Sequence, residues 1–219
     1  MRVVIVASGE PVAADAAWLD RADLLIAADG GAAWIDRVDR RPDLLVGDLD
    51  SADPALVDRL GRAGTAIERH PADKEASDTE LALEAARTRG ASEIVLLGAL
   101  GGGRLDHELA NLLLLADASL ADPPVRIIRG GTTVRVLRGG DRLELEDGMG
   151  DTVSLLPLGG DVAGVTTAGL RWPLAGATLR VGRSRGLSNE VVAAPASVSL
   201  EDGSSALLVV HTTREEPTP

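Results

Sequence analysis

The chain has 219 residues, which is enough for one large domain or two small ones. Its formal net charge of −12 argues against nucleic acid as a partner, because nucleic-acid binding needs a basic surface. The sequence contains no cysteine, which excludes disulfides and cysteine–zinc sites. No apolar run reaches the roughly 18 residues of a membrane span, and the N-terminus lacks the pattern of a signal peptide. We therefore expect a soluble, cytoplasmic protein with no nucleic-acid or membrane partner.

The first 130 residues alternate short apolar runs with amphipathic stretches. The apolar runs predict strands at Val3–Ala7, Leu24–Ala28, Leu44–Val46, Ala66–Glu68, Ile94–Leu97 and Val125–Ile128. Helices are predicted between them, at 12–21, 31–38, 54–63, 78–89 and 106–118. Strands that alternate with helices indicate a parallel sheet covered on both faces. Because ligands of such sheets bind at the carboxyl ends of the strands, we expect the functional site there.

The pattern changes after Asp122-Pro123-Pro124. From residue 131 on, alternating segments predict strands at 134–136, 143–146, 153–155, 197–200 and 206–210, and no helix. Asp202-Gly203 is typical of a hairpin turn. The predicted fold is α/β, with an N-terminal parallel-sheet, Rossmann-like domain at 1–130 and a small C-terminal antiparallel β-sandwich at 131–219. Residues 214–219 are predicted to form a frayed tail.

The pair Asp48 and Asp50 comes directly after the apolar run Leu44-Leu45-Val46. Side chains alternate faces along an extended strand, so both carboxylates are expected on the same side of the chain. Paired carboxylates repel one another unless a proton or a cation lies between them. Mg²⁺ is the natural cation, because it takes oxygen ligands and bridges carboxylates to phosphates. The alternative is a loop whose polar residues cap the helix that begins at Pro54.

A second acidic segment, 73–80, precedes the helix predicted at 78–89. Ser77 and Glu80 fit a capping box, which places Asp78 in the first helical turn. Asp78 then either complements the helix dipole or serves as a third metal carboxylate, with Lys74 in contact with phosphate. The local sequence does not decide between these two roles.

A glycine-rich turn at 101–103 precedes the helix predicted at 106–118. Backbone N–H groups at such a turn can approach an anion, and Arg104 could clamp a phosphate; a flexible loop is the alternative. His107 and Asn111 share a helix face, as part of a site or as a capping and packing pair. Asp29-Gly30-Gly31 is either a carboxylate at a strand end or a simple glycine turn.

Two motifs stand out in the C-terminal part. Trp172 is its only aromatic residue and is flanked by Arg171 and Pro173, so it is either a core residue or a ligand platform at a rim. Ser188-Asn189 follows a loop rich in glycine and arginine.

Taken in chain order, these segments resemble the thiamine pyrophosphokinase family. That family shows Asp-Gly-Gly, Gly-Asp-x-Asp-Ser, a Lys-Asp-x-Thr-Asp-like segment, Gly-Gly-Arg-x-Asp-His…Asn, Gly-Leu-x-Tyr/Trp-Pro-Leu and Ser-Asn. The matching segments are Asp29–Gly31, Gly47–Ser51, Lys74–Asp78, Gly101–Asn111, Gly169–Leu174 and Ser188-Asn189. Two features depart from the pattern. Glu75 and Ser77 replace the usual Asp and Thr, and three glycines rather than two precede Arg104, which could shift its side chain.

The resemblance implies an α/β ATP-binding domain followed by a β-sandwich that binds thiamine. It implies a homodimer whose active site lies between the α/β domain of one subunit and the β domain of the other. The implied reaction is the Mg²⁺-dependent transfer of a diphosphate from ATP to the hydroxyl of thiamine, which releases AMP.

The resemblance also implies roles for individual residues. Asp48, Asp50 and Asp78 are assigned to Mg²⁺ and, with Arg104, to catalysis, and Asp29 is a further candidate for the metal. The implied ATP-binding residues are Asp29, Gly30, Asp50, Ser51, Lys74, Asp78, Thr79, Arg104, Asp106 and Asn111. The implied thiamine-binding residues are Trp172, Ser188, Asn189 and Asp106. No histidine has a clear partner as general base.

Three other functions stay open on the sequence. A pyrophosphokinase for another small alcohol would have the same motifs. A nucleotide-sugar transferase could use Asp48 and Asp50 as its metal motif, but it would not explain the segments around Trp172 and Ser188. A non-catalytic thiamine or nucleotide sensor would be expected to lose the carboxylates, which are all present here.

Overall fold

The structure is a computed structural model that describes residues 1–146 and 148–214. The chain divides into two compact units, Met1–Gly130 (unit 1) and Gly131–Pro219 (unit 2). From residue 215 on, the predicted frayed tail lies outside the described residues.

Unit 1 contains a six-stranded parallel sheet. Its strands are Arg2–Val6 (β1), Leu24–Ala28 (β2), Leu44–Gly47 (β3), Ala66–Arg69 (β4), Glu93–Leu97 (β5) and Val125–Arg129 (β6). They are ordered β6-β5-β1-β2-β3-β4, and every neighbouring pair is parallel. The six predicted strands are therefore confirmed to within a residue or two. The apolar runs of β1, β2, β3 and β5 are buried because both faces of such a sheet are covered, whereas the edge strand β4 is largely exposed.

The α-helices of unit 1 are Ala16–Leu19 (α1), Gly31–Arg37 (α2), Pro54–Arg62 (α3), Asp78–Thr88 (α4) and Leu105–Leu114 (α5). The expectation of one helix over 12–21 is wrong, because Ala13–Asp15 forms a 3₁₀ turn and α1 has only four residues. The carboxylate of Asp15 accepts the backbone N–H groups of Val12 and Gly130, at 2.8 and 2.7 Å, and this fixes the tight turn. Helix α5 ends four residues before its predicted end.

Two helix starts that lead into the candidate site are capped as the sequence predicts. Asp53 accepts the backbone N–H of Ala55, and Pro54 occupies the first turn of α3. Ser77 and Glu80 form the predicted capping box at the start of α4, with distances of 3.2 and 2.8 Å. Helix α4 lies against β2 and β3, so the cap also fixes where Asp78 stands relative to the ends of those strands.

Unit 2 contains two antiparallel sheets. Its strands are Thr132–Leu137 (β7), Arg142–Glu144 (β8), Thr152–Pro157 (β9), Val162–Ala168 (β10), Ala177–Leu179 (β11), Asn189–Glu190 (β12), Ser197–Leu200 (β13) and Leu207–Thr212 (β14). One sheet has the order β12-β9-β14-β7, and the other has the order β11-β10-β13-β8. A single hydrophobic cluster draws residues from both sheets, among them Leu155, Val165, Val198 and Val209. As predicted, the described part of unit 2 contains no helix.

The sequence did not reveal strand β10. Its pairing with β11 shifts register between Val162 and Val165, and Gly164 lies between them with φ +69°. A bulge of this kind interrupts the alternation of buried and exposed residues on which strand prediction depends. In the described part of the whole chain, no helix has the length and apolarity needed to cross a membrane.

The start of α2 approaches β1 closely, and this contact yields a prediction about stability. A Cβ on Gly31 would lie 2.0 Å from the backbone carbonyl oxygen of Val6. We expect Gly31→Ala to lower the free energy of unfolding by about 1–3 kcal/mol through this overlap, although alanine is the better helix former by about 1 kcal/mol. Urea unfolding measures the change.

Gly160→Ala is the matched control, since a Cβ there meets no atom of the described structure within 4 Å. Equal stability of Gly31→Ala and the control would contradict the close approach of α2 to β1.

Candidate active site

Three carboxylates from separate segments meet at the carboxyl edge of the sheet in unit 1. Asp29 follows β2, Asp48 follows β3 and Asp78 opens α4. One oxygen from each lies within 4.8 Å of the others. The strand ends meet because carboxyl termini of parallel strands share one edge, which is where ligands of such sheets bind. We call Asp29, Asp48 and Asp78 the acidic cluster.

Asp29 is the most deeply placed member of the acidic cluster. The residue is 4% exposed, and its Oδ1 atom is buried with no hydrogen-bond partner among the described residues. Burial raises the pKa of this carboxyl above its usual value. The nearby hydroxyl of Ser51 and backbone of Gly30 offset the rise in part, and the charges of Asp78 and Asp50 add to it. A buried carboxylate oxygen that lacks a donor is suited to bind a cation.

Lys74 provides positive charge beside the acidic cluster. Its Nζ atom lies 3.0 Å from Asp48 Oδ2 and 2.9 Å from Asp78 Oδ1. The second contact is an ion pair without well-directed hydrogen-bond geometry, since Asp78 Oδ1 is buried and accepts no hydrogen bond. Partial burial would lower the pKa of Lys74, but the two carboxylates raise it overall. In turn, the hydrogen bond from Lys74 lowers the pKa of Asp48. Lys74 therefore remains a cation.

Gly47 lets the acidic cluster close. It ends β3 with φ +147°, a conformation that side-chain-bearing residues rarely adopt. A Cβ at this position would lie 3.0 Å from Asp78 Oδ1 and 3.2 Å from the Cβ of Asp29. The glycine of the Gly-Asp-x-Asp segment is thus required by the close approach of two carboxylates from neighbouring elements.

Asp48 and Asp50 do not lie on an extended strand as the sequence led us to expect. Strand β3 ends at Gly47, and Leu49 has φ +65°. The backbone N–H of Asp50 donates to Asp48 Oδ1 at 3.2 Å, so the chain turns at once. The Asp50 side chain is exposed and accepts the hydroxyl of Ser51 at 3.0 Å. The acidic cluster therefore contains Asp29 rather than Asp50, although Asp50 is near enough for its charge to raise the pKa of Asp29.

The glycine-rich turn leads to an arginine that is already paired. The guanidinium of Arg104 donates two hydrogen bonds to the carboxylate of Asp106, at 2.9 and 2.7 Å, and both side chains are exposed. This pairing holds the pKa of Asp106 well below its usual range. Asn111 is buried and donates from Nδ2 to the carbonyl of Ala99 at 2.8 Å, so it fastens the loop that follows β5.

Two smaller residues of the predicted ATP set lie beside these elements. Gly30 precedes the first residue of α2, and Thr79 is buried in the first turn of α4.

In unit 2, Trp172 lies at the surface and not in the core. It is 59% exposed, which excludes a position in the core of unit 2. The side chain of Asn189 makes two hydrogen bonds to the backbone of Trp172. Its Oδ1 accepts the Trp172 N–H at 3.1 Å, and its Nδ2 donates to the Trp172 carbonyl at 2.7 Å. Ser188 is exposed at φ +56°, and its N–H donates to the hydroxyl of Ser154. Asn189 therefore fixes the backbone that presents the tryptophan.

Both units match models of one protein family. Residues 16–127 match "Thiamin pyrophosphokinase, catalytic domain", and residues 142–204 match "Thiamin pyrophosphokinase, vitamin B1 binding domain". The chain belongs to the thiamine pyrophosphokinase family. The first match covers the acidic cluster, and the second covers Trp172, Ser188 and Asn189. The catalytic-domain match favours an enzyme of this family over the nucleotide-sugar transferase and the non-catalytic thiamine or nucleotide sensor.

Individual relatives agree with the family models. Thiamine pyrophosphokinase 1 of Oryza sativa subsp. japonica is 30% identical over 213 residues, which cover 86% of this chain and 79% of the relative. Thiamine pyrophosphokinase of Bacillus subtilis (strain 168) is 26% identical over 167 residues, 76% of this chain and 77% of the relative.

Solved structures show the same fold. The crystal structure of thiamin pyrophosphokinase from Geobacillus thermodenitrificans is 27% identical, covers 100% of both chains and has a TM-score of 0.80. The B. subtilis crystal structure has a TM-score of 0.84 over 98% of this chain and 100% of its own, at 24% identity.

The residues of this thiamine pyrophosphokinase family member fit a hard divalent cation. The acidic cluster offers only oxygen ligands, which is the donor type that Mg²⁺ prefers. The buried Oδ1 of Asp29 has no donor among the described residues, and a bound cation would offset the cost of its burial.

The raised pKa of Asp29 predicts how the stability of the protein depends on pH. Because the native state binds this proton more tightly than the unfolded state, the associated stability is present at low pH. It is lost as the pH rises above about 4 and through the folded pKa. At neutral pH the ionised Asp29 therefore opposes folding. Asp29→Asn should raise the melting temperature in metal-free buffer at pH 7, because the amide keeps the shape and removes the charge.

The same variant should lose the response to metal. Binding of Mg²⁺ to the native state should stabilise the unmodified chain by about 2.7 kcal/mol at one hundred times the Kd, whereas Asp29→Asn should gain little. Asp58→Asn, an exposed change of equal charge on α3, is the control. Thermal melts with and without Mg²⁺ measure both effects. An unchanged Mg²⁺ response in Asp29→Asn would remove Asp29 from the metal site.

Proposed function

We propose that the chain is a thiamine pyrophosphokinase that transfers a diphosphate from ATP to the hydroxyl of thiamine, giving thiamine diphosphate and AMP. The observation that carries the proposal is the acidic cluster with Lys74, which lies within the part of the chain that matches the catalytic-domain model. The match of unit 2 to the vitamin B1 binding model supports thiamine as the acceptor. The proposed enzyme is cytoplasmic, with a Rossmann-like catalytic domain and a β-sandwich that binds thiamine.

Mg²⁺ is the proposed cofactor, held by Asp48, Asp78 and Asp29. Asp50 is kept as a fourth carboxylate of this site, since its charge already acts on Asp29. When bound, Mg²⁺ would neutralise phosphate oxygens and help to orient the diphosphate that is transferred. The protein keeps these carboxylates together through the cap of α4, the glycine at the end of β3 and the ion pairs of Lys74.

Two basic side chains are proposed to contact phosphate. Lys74 stays protonated beside its carboxylates and can offer its remaining hydrogens to a phosphate oxygen as a point charge. Arg104 presents a planar fork that suits a phosphate, and a phosphate would compete with Asp106 for it.

The remaining predicted residues of unit 1 are proposed to shape the site. Ser51 hydrogen-bonds Asp50 and acts on the pKa of Asp29, so it orders the carboxylates. Thr79 and Asn111 are buried and position the elements around the nucleotide, together with Gly30. Asp106 is proposed to contact both substrates, ATP and thiamine.

Thiamine is proposed to stack on Trp172. Thiamine carries a cationic thiazolium ring, and the exposed indole offers a cation–π contact worth about 0.5–2 kcal/mol. Asn189 uses its amide to hold the tryptophan backbone, so its main contribution is the position of the indole. Ser188 can offer its hydroxyl to the aminopyrimidine.

We assign no general base. His211 lies 2.9 Å from Asp151 in the interior of unit 2, and His107 is exposed in the first turn of α5. Positioning and charge neutralisation dominate catalysis of phosphoryl transfer in general, so the reaction does not require a dedicated histidine.

The proposed reaction is tested with purified protein, ATP, Mg²⁺ and thiamine, by following AMP and thiamine diphosphate together. We expect the two products in equal amounts, and we expect Asp48→Asn to lose most of the turnover, roughly a hundredfold or more, because it removes a metal ligand. Asp58→Asn should keep normal turnover. ADP in place of AMP, or release of AMP without thiamine diphosphate, would contradict the proposed reaction.

We also propose that the enzyme is a homodimer with active sites shared between subunits, as the resemblance implies. Asp48→Asn and Trp172→Ala should each have low activity at limiting thiamine. If one subunit supplies Asp48 and the other supplies Trp172, mixing and reassorting the two variants should restore about a quarter of wild-type activity. No recovery after subunit exchange, with exchange verified by a size tag, would show that each site is built from a single chain.

A further inference from the structure

The loop between β11 and β12 carries three arginines, and the proposed reaction leaves them without a role. Arg180, Arg183 and Arg185 are all exposed. The segment from 180 to 189 contains no acidic residue, although the whole chain has a formal net charge of −12. We call residues 180–187 the arginine loop. It concentrates positive charge on one short surface segment of an acidic protein.

The guanidinium groups of the arginine loop are free of protein partners. Across residues 1–146 and 148–214, no carboxylate pairs with them and no acceptor takes a hydrogen bond from them. Other arginines of unit 2 behave differently. Arg135 pairs with Glu146, Arg142 with Glu144 and Arg171 with Glu190. Even the nearby carboxylate of Asp161 accepts a backbone N–H, that of Val181, and not a guanidinium.

The backbone of the arginine loop is fastened at both ends. At its start, the N–H of Val181 donates to Asp161 at 3.0 Å. At its end, the carbonyl of Gly186 accepts the N–H of Leu155 at 2.8 Å. Two internal turns, Arg183 N–H to the Arg180 carbonyl and Leu187 N–H to the Ser184 carbonyl, shape the middle. A fastened loop presents its charges with little ordering cost when a ligand binds.

The arginine loop leads directly into the residues that hold Trp172. Ser188 and Asn189 follow the loop, and the amide of Asn189 makes both hydrogen bonds to the backbone of Trp172. The backbone N–H of Ser188 is in turn fixed to Ser154. The arginines and the exposed indole therefore belong to one continuous hydrogen-bonded segment of unit 2.

The charge of the arginine loop does not suit thiamine itself. Thiamine is a cation, and three unpaired guanidinium groups beside its binding segment repel it. A diphosphate is an anion, and guanidinium groups bind such oxygens with two parallel hydrogen bonds. The segment thus offers an aromatic face for a cationic ring and arginine forks for an anionic tail.

We propose that the arginine loop binds the diphosphate group, as carried by thiamine diphosphate on the thiamine side of the reaction or by ATP. This inference rests on the proposed function, because it assumes that unit 2 binds the thiamine ring. Arg183 and Arg185, which lie between the two fastened ends, are the main contacts, and Arg180 adds long-range charge.

Calorimetric titration of the full chain with thiamine, thiamine diphosphate and ATP tests the proposal. Arg183→Gln combined with Arg185→Gln should weaken thiamine diphosphate binding about tenfold or more, because hydrogen bonds to charged groups are lost. Thiamine affinity should stay the same or rise. Arg142→Gln, which removes an exposed arginine from β8, is the matched control and should leave both affinities unchanged.

The ATP titration identifies the source of the diphosphate. A loss confined to thiamine diphosphate supports the product as the ligand, and a loss confined to ATP supports the nucleotide. Equal weakening of thiamine and thiamine diphosphate, or no change beyond the control, would overturn the proposal. Circular dichroism shows whether the double variant and the single variant Arg183→Gln are folded. If affinity for the diphosphate falls only where the protein has unfolded, the result counts against the proposal.

These titrations need no turnover, so they separate the two hypotheses. Failure of the wild-type chain to form thiamine diphosphate would refute the proposed function, whereas arginine variants that bind both thiamine diphosphate and ATP as tightly as the control does would refute the role of the loop alone.

Discussion

Repulsion among three carboxylates in a small volume is the constraint on which the rest of unit 1 depends. One carboxylate oxygen each from Asp29, Asp48 and Asp78 lies within 4.8 Å of the others at the carboxyl edge of the sheet, where water solvates them only in part. Like charges at such distances oppose folding, and burial of Asp29 adds a desolvation cost. Folding nevertheless brings them together, because burial of strands β2 and β3 and the cap of helix α4 fix the positions of these three residues.

Lys74 offsets part of this repulsion, and it does so without closing the site. Its ammonium pairs with Asp48 and Asp78, while Asp29 Oδ1 receives no donor from the described residues. One cation shared by two of three carboxylates leaves the cluster with net negative charge. On the proposed function this charge attracts Mg²⁺, and the flexible stem of lysine lets the ammonium turn toward phosphate. A site fully neutralised by protein groups would be more stable and would bind metal poorly.

Local patterns predicted the scaffold well and the orientation of side chains less well. The apolar runs located all six strands of unit 1, and Ser77 with Glu80 located the start of α4, because burial and capping leave direct marks in sequence. It was harder to predict which carboxylates lie beside Asp48 in the acidic cluster. Leu49 adopts a left-handed conformation that turns Asp50 outward, and nothing in the residue types announces it. Asp29 was a candidate from its place after β2, but its position beside Asp48 depends on strand order, since β2 and β3 must be neighbours for their ends to meet.

The two units carry local charges of opposite sign. Unit 1 brings carboxylates together without enough protein cations to neutralise them, whereas the arginine loop of unit 2 carries guanidinium groups without partners among the described residues. On the proposed function, a diphosphate with Mg²⁺ would neutralise the first, and the diphosphate of thiamine diphosphate would neutralise the second. If the arginine loop binds the diphosphate of thiamine diphosphate, its attraction is absent for thiamine and grows as the diphosphate moves onto the hydroxyl. Binding energy that appears only during transfer lowers the barrier, whereas energy already present with bound thiamine would not. The same attraction persists in the product, so an arginine loop that speeds transfer must also slow the release of thiamine diphosphate.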